Sequence, residues 1–321
     1  MSARAHIVLL RELSKLTLSA VRSDFRAFPK LRLWYKEAHE LRERYCAPLY
    51  VPSSGELLSI EADPKTSKAL AFGAVIGALY LAPHKLAQRT ISRLYGASHA
   101  KRFRSFCSHA VSACIAPCLG FSGRGAMTCT QRARVNRSAI YIHARALFVD
   151  MLRSDLRRLR ARADKLGFSP LVRPNATSEL FELRELVSKE ARALEIGAFD
   201  YTKSFGAVAS NLHLPELERP YHLTLSWDGR NEAEARAVLS MGGNVAVPWY
   251  PSAPLGARFL GAPIIDGDSH DIRIPDFDGR GNIIGLRYKE STPPGSTAEL
   301  TRAAAIASGF VLTHKRAQRA L

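Results

Sequence analysis

Apolar positions early in the chain recur near helical period. Ile7, Leu10, Leu13, Leu16 and Leu18 form one stripe; Trp34, Ala38, Leu41 and Tyr45 form a second, with Pro29 between them. Residues 1–52 therefore read as a helical, basic arm. The polar stretch 53–67, with its Gly and Pro, reads as a linker. Residues 69–82, ALAFGAVIGALYLA, are the most apolar run. A membrane span takes about 20 such residues, so this run predicts a buried core segment and the chain predicts no membrane part. The strongest helical period covers 138–166, with Ile140, Ala144, Leu147, Phe148, Met151, Leu152, Leu159 and Leu166 on one face. Ser138 is placed to cap its start and Gly167 its end.

Beyond Gly167 the texture changes. Short apolar runs stand at 169–172, 196–199, 222–225, 244–247, 263–265, 283–286 and 309–312. Helical patterns at 179–194 and 231–239 lie between some of them. Strands separated by helices pair in parallel, so the fold class expected is α/β, a partial or complete β/α barrel, with 138–166 as its first covering helix. The domain plan is the arm at 1–52, a barrel-like domain at 53–314 and a basic tail at 315–321.

In such a fold chemistry gathers at the carboxyl ends of the strands. The runs here end in polar residues: Arg173, Asn175 and Ser178 after the first, Asp200, Tyr201 and Lys203 after the second, and Ser226 after the third. Asp266 and Asp268 follow the fifth and Lys289 the sixth. Asp200, Tyr201, Lys203, Asp266, Asp268 and Lys289 are the catalytic candidates. Arg173, Asn175, Ser178 and Ser226 are candidates for holding substrate.

Charge alters the picture. The 321 residues carry 46 Lys and Arg against 29 Asp and Glu, a formal charge of +17. Such a surplus attracts phosphate polyanions, so a nucleic acid or nucleotide is the first partner to expect. Arg153, Arg157 and Arg160, on the outside of the long helix, could follow a phosphate backbone.

Three of the five cysteines fall within 107–125, CSHAVSACIAPCLGFSGRG, as C-x6-C-x3-C. An odd, clustered set fits a reducing compartment, the cytoplasm, better than a disulfide framework. Thiolates at short spacing suit a metal: Cys107, Cys114 and Cys118 could hold an iron–sulfur cluster with one iron open, or zinc with a fourth ligand from elsewhere. They could equally be small buried apolar residues. Arg124, between two glycines, could hold an anion beside them.

The run LYLAP at 79–83, the three cysteines, CLGFSGRG, Asn136–Arg137, RPNATSEL, FDYTK, YHLTLS, GGNVAV, IIDGDSHDIR, IIGLRYK and SGFVLTH resemble, in this order, an uncharacterised family of bacteriophage proteins. The resemblance extends from about residue 60 to 314 and is distantly similar to radical S-adenosylmethionine-type barrels. It implies a β/α barrel, iron–sulfur ligation by Cys107, Cys114 and Cys118, and a substrate pocket at the strand ends. The radical motif is C-x3-C-x2-C; this sequence departs from it, with Phe121 three residues after Cys118.

Overall fold

The computed structural model describes residues 56–62, 64–84, 86–88, 105–143, 145–293 and 295–314. The expected arm at 1–52 and tail at 315–321 lie outside them.

The apolar run at 69–82 is the heart of the fold. A 3-10 turn at Ala69–Phe72 follows a short helix, α1 (Pro64–Lys68), and stops at Gly73, whose φ of 70° is left-handed. Strand β2 (Ala74–Leu79) then runs through the interior with all six residues buried. Continuous apolar sequence is what a strand covered on both faces requires. Before it, β1 (Leu58–Ile60) pairs with β2 antiparallel.

After β2 come the cysteine segment, with a four-residue helix α2 (Ser112–Ile115), and two long helices, α3 (Thr128–His143) and α4 (Arg145–Leu166). The helical stretch therefore begins ten residues before the expected cap. Ser138 lies inside α3, buried, and its hydroxyl accepts from Ala82 N at 2.8 Å. Gly167 does end α4, with φ 68°. Five strands follow in parallel ladders: β3 (Ser169–Arg173), β4 (Gly197–Thr202), β5 (His222–Ser226), β6 (Val245–Trp249) and, after an excursion, β9 (Ile283–Arg287). The excursion is β7 (Arg258–Phe259) paired antiparallel with β8 (Ala262–Asp266), which joins β9 in parallel. Helices α5 (Phe181–Arg192), α6 (Phe205–Leu212) and α7 (Glu232–Ser240) connect successive strands; α8 (Pro275–Asp278) precedes β9 and α9 (Ala298–Ala307) follows it.

The sheet order is β1-β2-β3-β4-β5-β6-β9-β8-β7. The class is α/β, as the alternation of runs implies. Among the described residues no ladder joins β1 to β7, so the sheet is open and no closed barrel is seen. The run at 309–312 forms no strand: it makes a single bridge, Trp249 to Leu312.

Strand alternation sorts the two faces. Val75, Val172, Leu223, Leu225, Val245 and Ile283 share one cluster with Leu156 and Leu159 of α4, Leu183 and Val187 of α5, Val208 of α6 and Val238 of α7. The opposite face carries Ile76, Leu171 and Phe199, covered at one end by Ala69 and Ile272. The rest of that face is where the cavity opens.

Candidate functional site

The cavity has a volume of about 320 Å³. Arg173, Tyr201, Ser226, Pro248 and Leu286 line its floor, one from each of β3, β4, β5, β6 and β9. The ladders place them on one face: Arg173 pairs with Ala78, Tyr201 with Thr224, Ser226 with Ala246, and Pro248 with Leu286. These positions are at or near the carboxyl ends of the parallel strands, where open α/β sheets place ligands. Residues beyond the ends continue the wall: Asn175, Ser178 and Glu179; Thr202 and Lys203; Asp268, His270 and Asp271; Arg287 and Lys289. The facing wall is the cysteine segment, with Cys107, Cys114, Ile115, Pro117, Cys118 and Leu119.

Most of the sequence candidates are thus brought together, and six residues are not. Asp200 projects to the helix side of the sheet, fully buried, where Arg184 pairs with it at 3.4 Å and Asn175 donates to it at 2.7 Å. Alternation decides this: with Tyr201 facing the cavity, Asp200 must face the helices. Asp266 is exposed outside the cavity and accepts from Asp268 N at 2.8 Å, an Asx turn that shapes the loop. Arg124 is exposed in the 3-10 turn Gly123–Ala126 and does not line the cavity. It is Arg134 of α3 that meets that turn, donating to Gly120 O at 2.9 Å and Gly125 O at 3.4 Å. The α4 arginines lie on the other side of the sheet. Arg153 is held by both oxygens of Glu190 at 2.7 and 2.8 Å, Arg160 by Asp164 at 2.8 Å and Glu195 at 3.3 Å, while Arg157 is exposed.

The loop after β3 is a hub. Asn175 Oδ1 accepts from Ser178 Oγ at 2.8 Å and Leu180 N at 3.0 Å, fixing the turn. Thr177 donates to Leu81 O at 2.6 Å, tying the turn to the chain just beyond β2. Asn175 and Ser178, both candidates for substrate, line the cavity but also hold this turn in shape.

Arg173 is buried and donates to Asp271 at 2.6 Å while its guanidinium stacks on the Tyr201 ring at 4.5 Å. Burial opposes its charge, but Asp271, then Tyr201 and Asp200, outweigh that and raise its pKa. The Tyr201 hydroxyl oxygen accepts from Arg273 Nε at 2.5 Å. Burial pushes the Tyr201 phenol up despite Arg273, so it keeps its proton at neutral pH. Arg273 also donates to Gly267 O at 2.5 Å and His270 O at 2.7 Å, which orders the DGDSHDIR loop around the cavity rim. That burial and those partners escape the sequence, where Arg273 is only the last residue of the run IIDGDSHDIR.

Three cations at the rim differ from Arg173. Among the described residues, the side chains of Lys203, Arg287 and Lys289 meet no acidic partner. Lys68, a fourth cation of the cavity wall, donates to the main-chain carbonyl of Asp268 at 2.9 Å. Sequence reasoning missed Lys68, Arg287 and Glu179. Lys68 sits at the end of a segment that reads as linker, Arg287 within a strand, and Glu179 at a helix start.

The cysteines share a wall without converging on one point. Among the described residues no three His, Cys, Asp or Glu side chains group as ligands of one ion. Burial pushes the Cys107 thiol up to about 12, so it stays protonated. The Cys114 thiol donates to Val111 O at 3.2 Å within its own turn. Among the described residues Cys107, Cys114 and Cys118 form no disulfide. Among the described residues no helix is long and apolar enough to cross a membrane.

Residues 64–313 match a family model described as Gene product 88. No curated protein and no solved structure matches the chain. The match spans the hub, the cavity floor and the cysteine wall alike. It brings no radical S-adenosylmethionine family with it, so that part of the resemblance gains no support. Over more than three-quarters of its length, then, with the whole cavity inside the matched span, the chain belongs to the phage-type Gene product 88 family.

Proposed function

We propose that the cavity binds a phosphate-bearing small molecule of nucleotide size. The observation that carries this reading is the set of cations Lys203, Arg287 and Lys289, whose side chains meet no acid among the described residues, around one cavity of about 320 Å³. An ammonium or guanidinium without a counter-charge at a concave site is a ready partner for phosphate oxygens. The volume lies at the small end of the range for ligand sites, about 300–1,000 Å³, and suits one small ligand rather than a duplex. The facing wall is apolar, with Ile115, Pro117 and Leu119, and Trp227 and Phe310 also line the cavity. A flat base would rest there while its phosphates meet the cations. Tyr201, protonated and fixed by Arg273, is the group best placed to donate a proton within the cavity. The reading runs through no metal.

Titration calorimetry with ATP tests it. The protein binds ATP, and Lys203→Ala and Lys289→Ala each weaken binding about tenfold, the cost of one charge-assisted hydrogen bond. Absence of binding, or binding that neither substitution alters, defeats the proposal. A second reading, contact with a nucleic-acid backbone, is favoured by the basic run Arg89, Arg93, Lys101, Arg102 and Arg104, which no acidic residue interrupts.

A further inference from the structure

Glu179 lies within the run RPNATSEL, where its neighbours Arg173, Asn175 and Ser178 stand out as candidates and Glu179 does not. It is buried, at 7% exposure, and lines the cavity. Its main chain and its side chain hold different walls. The main chain bridges to the cysteine segment: Glu179 N donates to Phe106 O at 2.7 Å, and Ser108 N donates to Glu179 O at 2.9 Å. The side chain reaches the end of β4, where one oxygen, Oε1, accepts from Thr202 Oγ1 and from Lys203 N, each at 2.7 Å.

One residue therefore joins the thiol-bearing wall to the backbone of Lys203, whose side chain meets no acid among the described residues. Hydrogen bonds to a carboxylate are short and strong when buried. Here they fix the backbone amide from which the Lys203 side chain springs. They also fix Thr202, whose hydroxyl oxygen in turn accepts from Ser204 N at 3.1 Å at the start of α6. Cys107 lies between the two main-chain bonds, so its exposure depends on the same joint.

We propose that Glu179 is a positioning residue of the cavity: it sets Lys203 for the anion and keeps the Cys107 wall closed against it. This rests on the phosphate-ligand reading. Glu179 does not touch the ligand; it acts through the Lys203 backbone.

The test is a double-mutant cycle with two readouts. ATP affinity is measured by calorimetry for the wild type, Glu179→Ala, Glu179→Gln, Lys203→Ala and the Glu179→Ala/Lys203→Ala pair. Iodoacetamide labelling of Cys107 is followed by peptide mapping in the same proteins. Glu179→Ala weakens ATP binding about tenfold, as Lys203→Ala does, and the pair is no weaker than the worse single variant. Glu179→Gln, whose carbonyl oxygen still accepts from Thr202 and Lys203, binds like the wild type. Without its side-chain anchor on Thr202 and Lys203, the Glu179 main chain holds Phe106 and Ser108 less firmly, so labelling of Cys107 accelerates in Glu179→Ala but not in Lys203→Ala or Glu179→Gln. If Glu179→Ala does not fold, Thr202→Val, which removes one donor and keeps the shape, takes its place in the cycle. Additive losses in the pair, or a Gln variant as weak as the Ala variant, overturn the proposal. A wild type that binds no ATP overturns the cavity reading instead, and the labelling rates then decide the joint alone.

Discussion

Asp155 illustrates how much one buried carboxylate does in this fold. It is fully buried on α4, and its Oδ2 accepts from Leu57 N at 2.6 Å and Leu58 N at 2.9 Å. Burial pushes its pKa up, against those amides and Arg158. Asp155→Ala leaves two buried donors without an acceptor and should cost about 1–3 kcal/mol in urea unfolding. Asp155→Asn keeps a carbonyl oxygen and should cost clearly less; equal losses would show that the charge, not the acceptor, holds β1. Cys107 carries a different residue-scale test. Its ordinary value is 9.0 and its folded value about 12, so folding favours the neutral thiol. That contribution is complete below pH 9.0 and is lost as pH climbs through 12. Cys107→Ala should therefore flatten the fall in stability over that window, and an unchanged profile would contradict the buried thiol. Iron or zinc that co-purifies with the wild type and is lost in Cys114→Ala would contradict it too, because a bound metal needs a thiolate.

At the scale of elements, the strands were legible and the helix surfaces were not. The runs at 169–172, 196–199, 222–225, 244–247, 263–265 and 283–286 all became strands, because short β-rich runs between turn residues have few other stable conformations. The strand-end polar residues followed, and with them much of the cavity floor. Alternation was the weak link: Asp200 and Tyr201 are neighbours in sequence but lie on opposite faces, and only the register tells which one faces the cavity. Partners 37 to 102 residues away were invisible. Nothing local says that Arg153 will meet Glu190, Arg162 will meet Glu61, or Arg158 will meet Glu56. Those pairs turn an apparent phosphate-binding face of α4 into one largely matched with acids. The run at 309–312 fails as a strand for a related reason. It is held by Trp227 Nε1 donating to Gly309 O at 2.8 Å and by Gly229, where a Cβ would come within 2.7 Å of that backbone. The Arg153–Glu190 pair is exposed on the arginine side, so Arg153→Ala should cost no more than about 1 kcal/mol by thermal unfolding. A larger loss would mean that α5 depends on this pair for its docking.

At the scale of the whole molecule, the formal charge of +17 is spread unevenly along the sequence. The described α4 arginines are mostly matched by acids. The basic sequence runs that no acidic residue interrupts are Arg89 to Arg104 and Lys315, Arg316 and Arg319. If the protein binds nucleic acid, those runs rather than α4 should supply the phosphate contacts. Each contact adds roughly 0.7 to 0.9 to the slope of log K against log salt, so the slope reports which residues take part. Fluorescence anisotropy with a single-stranded oligonucleotide, from low to physiological salt, measures it. Replacing Arg93, Lys101, Arg102 and Arg104 with Gln should flatten the slope, whereas the Arg153→Ala, Arg157→Ala and Arg160→Ala triple variant should leave it as in the wild type. The reverse result would restore the α4 face as the nucleic-acid surface. ATP binding at the cavity provides the internal control, because the floor lies across the sheet from α4. The triple variant should not change it, and Lys203→Ala should weaken it without altering the oligonucleotide slope. Coupled losses in both assays would mean that one ligand, a strand end, occupies the cavity and the basic surface together.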